Sequence, residues 1–342
     1  DTFYNRNGYH GLARLMEAAE AMGCPFEAQE KFVDPEKCKI GCDWCMMGCP
    51  RDAKWTTRRY VDQAVEQHGT ELRVSSPVHR ILFDSQRKRA EGVQLRSGEK
   101  IMGGKIILAA GGIGSPGIFL RSGISYAGKR FFMDPMTILY GLSNDPKGGL
   151  WGDQTFTHAI EHFADSEGFM IGNSGAWGTW CVMNLVRPGV MLENWYKFPY
   201  VRRGMGLFVK LAEDDRGEIF ADERTSKPMT ENDIRRMNRG LSVARDIMIR
   251  AGVKEKSLSE LRWAGGHPGG TIVMGRYVDR SFRSEFENLY VCDASVFPQS
   301  PGSPPSLSIM GMSRLLAKYL LGRVQPEQRT INVKQEKSHA KP

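Results

Sequence analysis

The feature that most constrains the fold is an apolar strand followed at once by a glycine-rich turn and a helix. Residues 105–110 read KIILAA, a continuous apolar run typical of a strand that is buried on both faces of a sheet. Residues 111–124 read GGIGSPGIFLRSGI and place a turn and a helix start directly after it. This order of elements predicts an α/β domain.

Other stretches predict a second layer of structure. Residues 131–229 are rich in aromatic residues, Met and Gly and contain strand-like runs such as MGLFVKLAE, which predict a mixed, mainly antiparallel sheet. Residues 231–251 have the apolar spacing of an amphipathic helix closed by Gly252. A final strand at 288–293, a loop and a helix follow. The chain therefore reads as an α/β domain interrupted by a sheet domain.

The turn after KIILAA formally contains a dinucleotide-binding pattern, from Gly112 to Gly117. Pro116 removes an N–H group from the turn that would hold phosphate. Asp134 stands at about the separation expected of the acidic residue, but FFMDPMT is not a convincing strand end. We therefore do not expect this turn to hold a dinucleotide phosphate, and a plain strand-to-helix turn is one reading of it.

Composition and charge exclude several classes of protein. The chain has 342 residues and a net charge of +8, but its basic residues alternate with acidic ones, which argues against a nucleic-acid partner. No apolar run approaches the roughly 18 residues of a transmembrane helix. The cysteine usage favours a reducing, cytoplasmic location over a disulfide framework, and export with a partner stays open.

Four cysteines fall in one loop at residues 38–50. The ligand candidates have the spacing C-x3-C-x2-C-x3-C and are followed by Pro50: Cys38, Cys42, Cys45 and Cys49. The spacing differs by one residue from a ferredoxin-type run, and zinc sites more often split their ligands into two distant pairs. An iron–sulfur cluster is favoured over zinc, and metal-free structural thiols are the third reading.

Three separated segments resemble the glucose-methanol-choline family of flavoprotein oxidoreductases. They are residues 105–124, residues 265–275 (GGHPGGTIVMG) and residues 288–313 (NLYVCDASVFPQSPGSPPSLSIMGMS). The first departs from the family pattern at Gly112, Phe119 and Ser125. The resemblance implies FAD as cofactor and divides the chain into four parts. Residues 1–130 would belong to the flavin domain and carry the cysteine loop, and residues 131–262 would form the substrate domain. Residues 263–322 would close the flavin domain, and residues 323–342 would be a basic tail.

The resemblance also implies roles for single residues. His267 would accept the hydroxyl proton when an alcohol or sugar carbon is oxidised, a task suited to neutral imidazole. The helix that begins near Pro305 would stabilise negative charge on the flavin. The remaining expected contacts to the cofactor are Val78, Ala110, Gly111, Asp293, Ala294 and Ser306. Where the family usually has Asn or His before this proline, the chain has Pro304, which donates no hydrogen bond.

The family's phosphate-binding fingerprint lies upstream of the segments present here. We expect it to come from the same chain or from a separate subunit. The cysteine loop resembles that of flavoprotein subunits of bacterial sugar and sugar-acid dehydrogenases, which implies an electron-acceptor protein as partner. The alternative function is a split or non-catalytic subunit that serves electron transfer or assembly.

Overall fold

A computed structural model gives the fold of the chain. It describes residues 10–39, 42, 44, 48–150, 153, 155–175, 195–214 and 216–325. The α-helices are α1 His10–Glu20, α2 Arg58–His68, α3 Gly111–Arg121, α4 Ala164–Glu167, α5 Glu231–Arg250 and α6 Ser306–Leu320. The strands are β1 Glu27–Ala28, β2 Val78–Phe83, β3 Ala90–Leu95, β4 Lys100–Met102, β5 Ile106–Leu108, β6 Lys129–Phe131, β7 Pro135–Leu142, β8 His158–Ile160, β9 Phe169–Ser174, β10 Gly204–Leu211, β11 Gly217–Ile219, β12 Thr225–Ser226, β13 Ser259–Glu260, β14 Ala264–Gly265 and β15 Leu289–Val291.

The chain folds into two compact units, each assembled from separated stretches of sequence. The first contains residues 1–72, 135–211 and 234–264, and the second contains residues 73–134, 212–233 and 265–342. The sequence analysis predicts domain boundaries at 130/131 and 262/263, and the chain passes between units at 134/135 and 264/265. It assigns the first 72 residues to the flavin domain, and these domain bounds stay a prediction.

The first unit is built on an antiparallel sheet with the strand order β1-β8-β9-β10-β7-β13. Strand β10 pairs with both β7 and β9, and all eight of its residues are buried. Helix α5 approaches this sheet at Gly240, where a Cβ would lie 2.5 Å from Val209 and 3.1 Å from Phe169. The predicted antiparallel sheet and amphipathic helix are confirmed, and the helix ends at Arg250 with Gly252 in the left-handed region.

The second unit contains the predicted α/β layer. Strands β5 and β15 pair in parallel, with Leu289 opposite Ile106, and α3 follows β5 directly. Strands β2, β3 and β4 form a separate antiparallel sheet. Parallel strands bring their carboxyl ends to one edge, where open α/β sheets bind ligands. The turn after β5 and the turn after β15 therefore meet at one edge of the unit.

Strand β5 was expected to be buried on both faces, and for Ile107 this is wrong. Leu108 is buried and Ile106 packs against the core of the unit, whereas Ile107 is 46% exposed. Alternate side chains of a strand point to opposite faces, and no element of the described chain covers the Ile107 face. Within the described residues, β15 is the strand that pairs with β5.

The closing helix begins where the sequence predicts, with Pro305 at its N-cap. Many of its residues are apolar, but among them Leu316 alone is buried, and Leu307 is 65% exposed. None of the helices in the described part of the chain has the length and apolarity that a membrane span requires.

Candidate active site

His267 lies in a glycine-rich loop that the backbone fixes to residues 132–133. The carbonyl of Met133 accepts hydrogen bonds from the N–H groups of Gly266 (3.0 Å) and His267 (3.2 Å). Phe132 and Gly269 exchange a reciprocal pair of backbone hydrogen bonds, at 3.2 and 3.0 Å. The position of the histidine backbone is thus set by a segment more than 130 residues away in sequence.

Close packing requires two of the glycines that follow His267. A Cβ at Gly269 would lie 2.6 Å from the carbonyl oxygen of Ala294. Gly270 has a φ of +75° and a Cβ there would lie 2.6 Å from the ring of Phe132. Since left-handed backbone and such close approaches exclude side chains, Gly269 and Gly270 are packing requirements as well as parts of the GGHPGGT motif.

The imidazole of His267 faces a buried carboxylate. Its Nδ1 lies 3.4 Å from Oδ2 of Asp134, whose side chain is fully buried. Nδ1 is itself buried, and among the described residues no group meets hydrogen-bond geometry with it. The side chain is nevertheless 28% exposed, so the exposed part belongs to its other atoms. A neutral imidazole in this orientation can accept a proton at Nε2.

Asp134 is held in turn by Ser300 and Glu213. Ser300 Oγ donates a short hydrogen bond to Oδ1 of Asp134, and the N–H of Glu213 donates to Ser300 Oγ at 3.3 Å. Oε1 of Glu213 accepts hydrogen bonds from the backbone N–H groups of Met133 and Asp134, the latter at 3.1 Å. Asp134, which faces the histidine, is therefore held by residues of the second unit that are far apart in sequence.

Glu213 carries a buried ion pair at the far end of this network. Its Oε2 lies 3.0 Å from Nζ of Lys227, and the two side chains are 0% and 8% exposed. Burial raises the pKa of Glu213, against the opposing effects of the Met133 N–H and the Lys227 charge. Glu213 and Lys227 thus form a charged pair that is withdrawn from water.

The expected cofactor contacts at the ends of β5 and β15 are brought together. Oδ2 of Asp293 accepts hydrogen bonds from the N–H of Gly111 (2.9 Å) and from Ser115 Oγ (2.5 Å). Oδ1 accepts from the N–H and Oγ of Ser295, at 2.8 and 2.5 Å. An ionised carboxylate offers about four acceptor sites. The Asp293 carboxylate is therefore fully used in joining the two turns.

The backbone beside Asp293 is open at this edge. Ala110 is exposed, and Gly111 has a φ of +76° with open space where a Cβ would stand. Gly112 behaves differently, because a Cβ there would overlap the carbonyl of Pro268 in the histidine loop. The departure from the family pattern at Gly112 thus has a steric cause.

The remaining expected contacts occupy varied positions in the second unit. Val78 is half-buried at the start of β2 and packs against the core, and Ala294 is buried. Pro305 is buried at the N-cap of α6, while Ser306 is exposed. No acidic residue stands in the first turn of α6 and no side chain caps it. Its N–H groups thus fit an electron-rich flavin edge.

The cysteine loop belongs to the first unit. Cys38, Cys42 and Cys49 line one cavity of about 110 Å³, and Cys45 lies outside the described residues. Burial raises the pKa of the Cys49 thiol, but backbone N–H groups together lower it below its ordinary value. Within the described residues, no three candidate ligands are placed to hold a metal ion. The iron–sulfur cluster gains no support from this geometry.

Sequence reasoning missed Asp134, Glu213 and Ser300 as parts of the site. Asp134 was considered only as the acidic residue of a dinucleotide fingerprint. The contact between Ser300 and Asp134 spans 166 positions and that between Glu213 and Asp134 spans 79. No local pattern signals such contacts.

Comparison with known proteins places these features in a family. Two sequence profiles, both of GMC oxidoreductase, match residues 5–136 and 209–313. The uncharacterized protein MJ1450 of Methanocaldococcus jannaschii is 27% identical over 304 residues, which cover 86% of this chain and 71% of that protein. The uncharacterized GMC-type oxidoreductase Rv0492c of Mycobacterium tuberculosis is 25% identical over 351 residues, 91% of this chain and 54% of that protein.

Solved structures share the fold. Pyridoxine 4-oxidase from Mesorbium loti has a TM-score of 0.53 and 18% identity over 73% of this chain and 58% of its own. A formate oxidase variant from Aspergillus oryzae RIB40, studied for FAD modification, has a TM-score of 0.54 and 16% identity over 72% of this chain and 60% of its own. The chain thus spans about three fifths of each solved relative. With the two profiles covering more than half of its residues, the chain belongs to the GMC oxidoreductase family.

Proposed function

We propose that the protein is an FAD-dependent oxidoreductase that oxidises the CH–OH carbon of an alcohol or sugar, with His267 as proton acceptor. Membership of the GMC family supports FAD-dependent oxidoreduction. The observation that carries the finer proposal is the orientation of His267, with Nδ1 buried at 3.4 Å from the Asp134 carboxylate and the rest of the ring partly exposed. A histidine used only for packing has no need of this arrangement.

In the proposed reaction the alcohol loses a hydride from carbon and a proton from oxygen and becomes a carbonyl compound. When bound, FAD supplies the hydride acceptor. Nε2 of His267 takes the hydroxyl proton, and the resulting imidazolium faces the Asp134 carboxylate. The first turn of α6 presents uncapped N–H groups that stabilise negative charge. The backbone of Ala110 and Gly111 would contact the bound FAD, because this edge of the unit is open.

A nucleotide-binding segment is part of this proposal, from the same chain or from a separate subunit. Two exposed apolar surfaces in the second unit support it. Ile107 on β5 is 46% exposed and Leu307 on α6 is 65% exposed. A strand beside β5 and a layer over its open face would bury such side chains, as in doubly wound sheets.

Anaerobic flavin reduction tests the proposal. Protein prepared together with its nucleotide-binding segment is mixed with a panel of alcohols, aldoses and sugar acids, and bleaching of the flavin absorbance is followed. His267→Ala is expected to keep its flavin and to lose roughly 10²–10⁴-fold in reduction rate. His68→Ala, at the exposed end of α2, is the matched control and should keep the wild-type rate.

Two results would contradict this proposal. A flavin that no member of the panel bleaches would remove the CH–OH donor class. A His267→Ala variant that reduces its flavin at the wild-type rate would remove the proton-acceptor role while leaving the flavoprotein assignment intact.

A second candidate function is electron transfer through the cysteine loop, either as an exit from the flavin or in a split subunit. It rests on the C-x3-C-x2-C-x3-C spacing of the sequence, since among the described residues no three candidate ligands are placed to hold a metal ion. Iron and labile-sulfide analysis of anaerobically prepared protein tests it. Bound zinc would exclude an iron–sulfur cluster and make the loop a zinc site, whereas absence of metal would leave it as structural thiols.

A further inference from the structure

We infer that Asp134 is a positioning residue that holds the imidazole of His267 with its proton on Nδ1, so that Nε2 is left as the proton acceptor. This inference rests on the proposed role of His267 and deepens it. It assigns a function to a carboxylate that no sequence motif identifies, and it explains why an acidic residue is buried at this point of the fold.

The first support is the position of His267 Nδ1. A buried ring nitrogen needs a hydrogen-bond partner, and Nδ1 has none of ordinary geometry within the described residues. The Asp134 carboxylate faces it at 3.4 Å. Hydrogen bonds in active sites without bound substrate are often long and shorten in the productive complex.

The second support is that Asp134 is held in place for this contact. Its φ of +49° lies in the left-handed region, which a residue other than Gly keeps only when its surroundings enforce it. Glu213 enforces it by accepting hydrogen bonds from two successive N–H groups, those of Met133 and Asp134. Ser300 occupies Oδ1, and this leaves Oδ2 toward His267.

The third support is chemical. An ionised carboxylate only accepts hydrogen bonds, so the nitrogen facing it must carry the proton. Histidine in water prefers the tautomer with the proton on Nε2, which is the wrong form for a base that acts through Nε2. A carboxylate beside Nδ1 reverses that preference and also stabilises the imidazolium formed after proton transfer. Asp134 therefore selects the reactive tautomer.

The experiment is nitrogen NMR of protein labelled with ¹⁵N in its histidine rings. The signals of His267 are assigned by their loss in His267→Ala. We expect the neutral ring to carry its proton on Nδ1 in the wild type and to shift toward the Nε2-protonated form in Asp134→Asn. Asp279→Asn is the control, because Asp279 also accepts backbone N–H bonds in a turn but does not contact His267. An Nε2-protonated ring in the wild type, or the same tautomer in Asp134→Asn, would overturn the inference.

Ser300→Ala is the milder second variant, because it keeps the carboxylate and removes its donor. It should shift the tautomer in the same direction as Asp134→Asn but less far, and an unchanged thermal melt confirms folding. A variant that melts normally yet leaves the tautomer at its wild-type position counts against the network.

Flavin reduction provides an independent readout. With the reductant found in the substrate panel, Asp134→Asn should lower the maximal reduction rate on the order of 10²-fold or more, with little change in the substrate concentration at half-saturation. If His267→Ala leaves the rate unchanged, the proposed base fails while the tautomer result still stands. If His267→Ala is slow but Asp134→Asn is not, the positioning role fails alone.

Discussion

His158 and His267 lie in different units and illustrate two uses of a histidine. His158 on β8 is 7% exposed, its Nδ1 lies 3.1 Å from Thr157 Oγ1, and burial followed by the charge of Lys31 lowers its pKa. His267 is partly exposed and its Nδ1 faces a carboxylate. One imidazole is surrounded by conditions that keep it neutral, and the other stands beside a group that stabilises a positive charge.

The difference lies in what holds each ring. The backbone around His158 is fixed by its own sheet, where Oδ1 of Asn173 accepts its N–H at 2.8 Å. The ring of His267 faces Asp134, which Glu213 and Ser300 hold through contacts far apart in sequence. A buried polar network of this kind is costly unless its members are paired. The network beside His267 is the observation that supports our proposal for this histidine.

Breaking the charge at the far end of the network should have the largest effect. Lys227→Met leaves the buried Glu213 carboxylate without its cation, and we expect the free energy of unfolding at pH 7 to fall by about 3–5 kcal/mol. Chemical denaturation measures it. Lys129→Met, which removes an exposed partner of Glu218, is the matched control and should cost a small fraction of that.

The same variant has a pH dependence with a defined sign. The folded-state pKa of Glu213 is already raised, so the folded protein holds this proton more tightly than the unfolded chain. Stability therefore falls as pH rises from the ordinary Glu value to the folded value, and Lys227→Met extends that fall to higher pH. Glu213→Gln in the Lys227→Met background should abolish the added slope. If the double variant kept the pH slope of Lys227→Met, a group other than Glu213 would be its source.

A steric change at the histidine loop should have a smaller effect. The Cβ introduced by Gly112→Ala would overlap the carbonyl of Pro268, next to His267, and the loop must move. We expect a loss of roughly 1–3 kcal/mol in unfolding free energy, measured by denaturant titration, together with a changed His267 ring signal. Gly104→Ala is the control, because no atom lies within 4 Å of its Cβ position. An unchanged His267 ring signal in Gly112→Ala would show that the turn at Gly112 does not influence the position of His267.

The sequence predicts the elements of this fold better than the site. The run at 205–213 and the helix at 231–250 carry their own periodicity, so β10 and α5 were found by pattern. Their packing did not need to be known. The burial of Ile107 was overpredicted, because an apolar run indicates a strand suited to burial but not which neighbours are present to cover it.

His267 was proposed from the sequence because the segment at residues 265–275 resembles a family motif, and such a motif is local. Asp134 was not, because its importance arises from the tertiary contact with a ring 133 positions later in the chain. Glu213 looks like one of several surface acids in AEDDRGE, and only folding places its carboxylate under two backbone N–H groups. The residues that surround a candidate catalytic group are therefore harder to predict than the candidate itself.

The smallest expected effect concerns His158 and tests the other side of the comparison. Its pKa is lowered in the folded state, so the unfolded chain binds this proton more tightly. The stability that a neutral His158 provides is present above the ordinary His value and is lost as pH falls through the folded value. His158→Gln should flatten the decline in unfolding free energy on that acid limb, measured by denaturant titration at successive pH values. The exposed His162 provides the control, since His162→Gln should leave the slope as it is. If His158→Gln kept the full wild-type slope, burial of this imidazole would not be what distinguishes it from His267.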